Sequence, residues 1–162
     1  MNHKELLDEY LGGSETLLKT IKKAPKKALD YRPFKDAWTI KEHVIHLVDS
    51  EINHFIRWKS IIAQPNSKCY VMDEETWTKN LNPEHEDISL YIEVFRLLRT
   101  ITYNYLIHVP EKEWHNNYFT REYKFKSENI DLEQSIEMYK NHVPKHIDYI
   151  ERNIDEWEKN NK

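Results

Sequence analysis

Apolar side chains recur at helical spacing for about seven turns from Leu132 to Trp157. Leu132, Ile136, Tyr139, Val143, Ile147, Ile150, Ile154 and Trp157 fall on one stripe, the pattern of a helix that buries one face against a core. Three further segments carry the same period. With only two glycines, Gly12 and Gly13, and six prolines, the chain lacks the punctuation that a turn-rich all-β fold requires. Four long amphipathic helices predict an all-α chain folded as a four-helix bundle. Its 162 residues are enough for one domain, 1–162, that buries most of its apolar surface.

The first helix is predicted over residues 3 to 23, where Leu6, Leu7, Tyr10, Leu11, Leu17, Leu18 and Ile21 share a face. The Gly12–Gly13 pair costs this helix roughly 1 kcal/mol per glycine and marks a place for a bend. Pro25 and the charged segment to Asp36 form a connection. Trp38-Thr39-Ile40-Lys41-Glu42 then announces a second helix, with Thr39 as cap and Glu42 closing a capping box. That helix is expected to end at Ala63, before Pro65. Residues 64 to 87 make a connection long for a compact bundle, with Pro65, Asn66, Asp73, Asn82 and Pro83, and a short helical turn at 74–77. A third helix follows from Ile88 to His108, ended by Pro110. Between 114 and 126, bulky and polar residues alternate, Phe119, Arg121, Tyr123 and Phe125 on one side and Tyr118, Thr120, Glu122 and Lys124 on the other. This pattern predicts an extended arm or small hairpin. The fourth helix runs from Leu132 to Trp157, with a charged tail expected to fray.

A formal charge of −4 with mixed signs speaks against a nucleic-acid partner. No apolar run is long enough for a bilayer and no signal-peptide core is visible, so no membrane is expected. The single cysteine, Cys69, excludes an internal disulfide and fits a reducing compartment, hence the cytoplasm.

Two histidines inside the last helix, His142 and His146, are four residues apart and lie on one face about a turn from each other. Their rings flank the apolar stripe, where a groove between helices can hold a metal. Imidazole suits zinc, nickel, copper or iron. The same spacing occurs on surface helices with no metal. A third ligand must come from another segment, and the second helix offers His43, His46 and His54. His46 shares a polar face with Glu42, Asp49 and Asn53, read either as a solvent face or as the wall of a pocket. Asp49, one turn on, is placed to orient an imidazole or accept a proton.

The run Trp38-Thr39-Ile40-Lys41-Glu42-His43-Val44-Ile45-His46-Leu47-Val48-Asp49-Ser50-Glu51 resembles the second-helix signature of the DinB-like, YfiT-like superfamily. Met72-Asp73-Glu74-Glu75-Thr76-Trp77 is similar to its acidic-tryptophan loop, and His142 and His146 to its HxxxH in the fourth helix. The resemblance covers about residues 35 to 155 and implies an up-down-down-up four-helix bundle. It also implies one divalent metal per chain, zinc or nickel, held by His46, His142 and His146. Its members include metal-dependent hydrolases and transferases that use a low-molecular-weight thiol such as bacillithiol, commonly as homodimers acting on small molecules. Pro144, between the two last-helix histidines, departs from the pattern. In a helix interior its ring clashes with the carbonyl of Lys140 and removes one hydrogen bond, so a kink between the ligands is expected.

Three neutral imidazoles leave positions on a metal for water or a thiol, so hydrolase and thiol S-transferase need the same ligands. The competing reading is a non-catalytic, metal-stabilised bundle that works as a binding module. Trp38 and Trp77 read as packing anchors, with Trp77 also placed to line a cleft. Cys69 has no base assigned beside it. His3, His85, His108 and His115 show no spacing that pairs them.

Overall fold

The computed structural model describes residues 3–69, 71–81, 83–123 and 126–161. Asn82, Lys124 and Phe125, used in the sequence reading, lie outside them, as does the side chain of Tyr123. Four long helices form the bundle: α1 (His3–Lys23), α2 (Ile40–Ala63), α4 (Ile88–Leu106) and α6 (Leu132–Asn160). Two short ones lie in the connections, α3 (Glu74–Asn80) and α5 (Glu113–Asn116). An antiparallel hairpin, β1 (Tyr118–Tyr123) and β2 (Lys126–Asp131), precedes α6 with Phe119 opposite Ile130.

Local chemistry explains where the helices start. At α2 the amide of Glu42 donates to Thr39 Oγ1 at 3.1 Å, while the amide of Thr39 donates to the Glu42 carboxylate at 2.6 Å. Asp131 and Gln134 repeat this box at α6, and Asp73 and Asp87 cap α3 and α4. Contacts between helices give the directions. His3 meets Glu133, Glu9 meets Lys140 and Lys23 meets Glu151, so α1 and α6 run the same way. Glu51 meets Arg99 and Phe55 meets Tyr105, so α2 and α4 are also parallel. His46 against His142, Ser50 against Tyr139 and Trp58 against Ser135 run α2 opposite to α6. The order is therefore up-down-down-up, and a parallel α2–α4 pair requires the long connection between them to travel the length of the bundle.

The long connection is tied down on its way. Asn66 donates its amide to the Tyr118 carbonyl at 3.0 Å and Thr120 donates to Ser67 at 3.2 Å, so residues 66–69 run beside β1. The helical turn expected at 74–77 extends through Asn80. The third helix ends two residues earlier than expected, and the last continues through the charged tail to Asn160. Hydrogen bonding along α6 also passes through Pro144 without ending the helix. The ring faces solvent, and Val143, His146 and Ile147 on either side are buried. Packing of that face outweighs the lost bond.

The apolar core falls into two clusters. One surrounds Leu6, Trp58, Trp114 and Ile136, the other Leu17, Val44, Phe95 and Ile150. Between them lies a buried charge pair absent from the sequence reading. The guanidinium of Arg99, wholly buried, donates from Nε and Nη2 to Glu51 Oε2 at 3.2 Å and from Nη2 to the Tyr139 carbonyl at 3.0 Å. Nη1 donates to the Tyr10 carbonyl, and the Tyr10 hydroxyl donates to the other oxygen of Glu51. Here α1 runs unbroken through the glycines, and Gly13 has a packing reason: a Cβ there would strike the Arg99 guanidinium. Among the described residues, no helix is long and apolar enough to cross a membrane.

Candidate metal centre

The antiparallel crossing of α2 and α6 brings His46 to the His142–His146 pair, almost a hundred residues away in sequence. His46 Nε2 lies 3.2 Å from His142 Nε2, which lies 3.0 Å from His146 Nε2. One nitrogen from each ring falls within 4.8 Å of the others. His46 and His146 are almost wholly buried, His142 partly. Burial lowers the pKa of His46 to about 4, of His142 to about 3 and of His146 to about 2. All three rings are therefore neutral at pH 7, the form with a lone pair to give. Three neutral imidazoles aimed at one point form a donor set that fits zinc or nickel.

His43 takes a place that spacing alone did not assign. Its Nδ1 is 3.0 Å from His146 Nδ1, so it holds the far edge of that ring and leaves Nε2 facing the cluster. Tyr149 stacks on His43, with centroids 5.4 Å apart and planes 10° from parallel. Trp38 is more than a packing anchor at the helix start: its ring stands 5.0 Å from His46 and 6.2 Å from His146, covering one side of the cluster. Farther along α2, His54 donates from Nδ1 to the Ser50 carbonyl and accepts from Arg57 at Nε2, a satisfied interior histidine apart from the three.

Asp49 sits half-buried on the side of α2 facing Glu86 and Tyr91, where burial and then the Glu86 charge raise its carboxyl to about 6. The carboxylate beside the cluster is that of Glu74, whose Oε2 lies 3.5 Å from His46 Nε2. Glu74 belongs to the acidic stretch noted in the long connection. Its reach to His46 depends on the path of α3, which no local pattern encodes. Trp77, on the same helix, is not among the residues lining the cavity beside the cluster. Burial raises the Cys69 thiol, the opposite of what activates a nucleophile.

His43, His142, His146 and Glu74 open onto a cavity of about 700 Å³. Trp38, Tyr139, Met72 and Met138 supply apolar wall. Arg57, Arg121, Lys145 and Arg152 contribute four positively charged side chains to the same lining.

No family model matches the chain. It is 25% identical over 159 residues to a Bacillus subtilis protein described as "Putative metal-dependent hydrolase YfiT", with 91% of this chain and 83% of that protein aligned. A Bacillus cereus protein, also described as a "Putative metal-dependent hydrolase", is 31% identical over 80 residues, 47% of this chain and 46% of its own length. The solved structure of YfiT from Bacillus subtilis, described as a probable metal-dependent hydrolase with an unusual four-helix bundle topology, superposes with a TM-score of 0.83 at 21% identity, covering 92% of this chain and 83% of that one. Over nine-tenths of its length the chain is similar in sequence to YfiT, and it shares that protein's four-helix bundle.

Proposed function

We propose that the chain is a metal-dependent enzyme in which His46, His142 and His146 hold one divalent ion, zinc or nickel, beside a cavity that receives a small anionic molecule. The observation that carries this reading is the convergence of three neutral Nε2 atoms, with His142 and His146 lining the adjoining cavity. When bound, such an ion brings the pKa of a coordinated water or thiol toward neutrality. His43 fixes the ring of His146 through the nitrogen that the metal does not need. Glu74 is placed to take the proton released by the nucleophile and, 59% exposed, has room to pass it to solvent. Arg121 is paired with Glu128, and Arg57, Lys145 and Arg152 outnumber Asp36 and Glu74 in the lining, which favours a substrate that carries carboxylate or phosphate groups.

The descriptions of the relatives favour water as nucleophile, hence a hydrolase. The cationic side chains favour a second reading, a small anionic thiol such as bacillithiol as cosubstrate. There the sulfur displaces a leaving group from an electrophile, and Glu74 takes the thiol proton. Incubating zinc- or nickel-loaded protein with bacillithiol and monochlorobimane, and in parallel with an ester, amide and phosphoester panel, separates the two. Turnover of neither, together with a metal-dependent rise in melting temperature, would leave the non-catalytic bundle.

The reading places the protein in the cytoplasm as a homodimer. On α4, Leu90, Val94, Leu97 and Ile101 form an exposed apolar stripe at helical spacing, the face such a dimer would cover. Light scattering of the full chain, with and without Leu97→Glu, tests it.

A further inference from the structure

His3 and His115, which no spacing links, come together where α1 begins, α5 ends and α6 makes its first turn. Both rings are held in the same way. His3 Nδ1 lies 2.9 Å from Glu111 Oε2, and His3 Nε2 points to Glu133 Oε1 at 3.9 Å. His115 Nδ1 lies 3.3 Å from Asp131 Oδ2, and His115 Nε2 lies 3.1 Å from Glu133 Oε2. One ligand atom each from His3, His115 and Glu133 lies within 4.8 Å of the others.

We propose that His3, His115 and Glu133 form a second divalent-metal site, of the zinc type, distinct from the three-histidine centre. Each imidazole presents Nε2 inward and has its Nδ1 against a separate carboxylate, the arrangement that orients metal-bound histidines. Two imidazoles and one carboxylate are a recurrent zinc donor set, whereas magnesium and calcium prefer oxygen ligands.

The charge balance points the same way. Glu111, Asp131 and Glu133 surround only two histidines, so the group stays negative even with both rings protonated, and a divalent cation offsets the excess. The geometry is also fixed from outside the cluster. His3 stacks on Trp114, with centroids 3.9 Å apart and planes 10° from parallel, and is only 11% exposed. Asp131 is held by its other oxygen, which caps α6 by accepting from the Gln134 amide at 2.8 Å. Ligand atoms around a tetrahedral zinc are about 3.3 Å apart. The His115–Glu133 pair already meets that spacing at 3.1 Å, and His3 Nε2 stands 3.9 Å from the other oxygen of Glu133. Nine residues of α6 separate Glu133 from His142, about 14 Å along the helix, so one ion cannot serve both places. A metal here would fasten the first turn of α1 to the first turn of α6.

Isothermal titration with zinc chloride of untagged, chelator-stripped full-length protein tests the proposal. Wild type is expected to take two zinc ions per chain. His115→Ala and the isosteric Glu133→Gln are each expected to take one, and so is His46→Ala. Zinc should still raise the melting temperature of His46→Ala by several degrees, and this rise should vanish in His46→Ala/His115→Ala. Far-UV circular dichroism confirms that each variant folds, and His115, half-exposed, is a tolerant position for change. Unchanged stoichiometry in both His115→Ala and Glu133→Gln would overturn the site, as would His46→Ala that takes up no zinc. A single zinc lost in His115→Ala but kept in His46→Ala would support this site and remove the three-histidine centre instead.

Discussion

His46 on α2 and His142 on α6 direct their Nε2 atoms at each other across 3.2 Å. Two neutral nitrogens at that distance share at most one proton, and His146 adds a third at 3.0 Å from His142. A cation accepts all three lone pairs at once. His46→Ala is expected to lose one equivalent of metal relative to wild type by elemental analysis. Chelation is expected to lower the melting temperature of wild type more than that of the variant, because only a metal bound to the folded state stabilises it. Equal metal content in the two proteins would refute the centre.

His43 grips the opposite edge of His146 without joining the cluster. His43→Phe keeps an aromatic ring against Tyr149 but removes the hydrogen bond. It is expected to weaken metal affinity at the three-histidine centre by about 10–100-fold, the usual range for such orienting partners. Competition with a chromophoric chelator measures it.

Glu74 is assigned proton transfer rather than metal binding. Glu74→Gln keeps the shape of the side chain and is expected to retain full metal content while kcat falls about 100-fold or more. Loss of metal with loss of activity would make it a ligand. Unchanged kcat would remove it from the chemistry.

The two glycines of α1 are expected to respond in opposite directions. A Cβ at Gly12 meets nothing within 4 Å, so Gly12→Ala should stabilise the helix by about 1 kcal/mol. At Gly13 the Cβ would meet the Arg99 guanidinium, which Glu51, Tyr10 and Tyr139 hold in place. Gly13→Ala should therefore destabilise the fold by about 1–3 kcal/mol despite the better helix former. Urea denaturation of the two variants reads the difference.

Asp49 ties stability to pH. Folding raises its pKa from 3.8 to about 6, chiefly through burial, so the folded chain holds this proton more tightly than the unfolded one. Its contribution is present below the unfolded value and is lost as pH rises through the folded one. Asp49→Asn is expected to be more stable than wild type at pH 7 by about 1 kcal/mol, allowing for partial solvent screening. The gap should close between about pH 6 and about pH 4. A gap that does not change with pH would assign the difference to packing.

The four long helices, the α2 capping box and the HxxxH pair were legible in the residues alone, because each depends on neighbours within one or two turns. Helical period and caps are local, and both describe α1, α2 and α6 almost to their ends. Resemblance, not periodicity, singled out His46 among the three histidines of α2. Nothing local distinguishes a polar face toward solvent from one turned toward α6, and the crossing of α2 and α6 buries His46. The same crossing carries His142 and His146 to it past Pro144, since packing of the buried face holds α6 together where local rules predict a kink. Arg99 with Glu51, Glu74 beside His46, and His3 with His115 join residues at least 28 positions apart. Such pairs exist only once the chain has chosen parallel α1–α6 and α2–α4 neighbours, a choice made by the burial of whole helix faces. Sequence therefore determined the elements and the chemistry available, and the tertiary structure decided which of those groups meet.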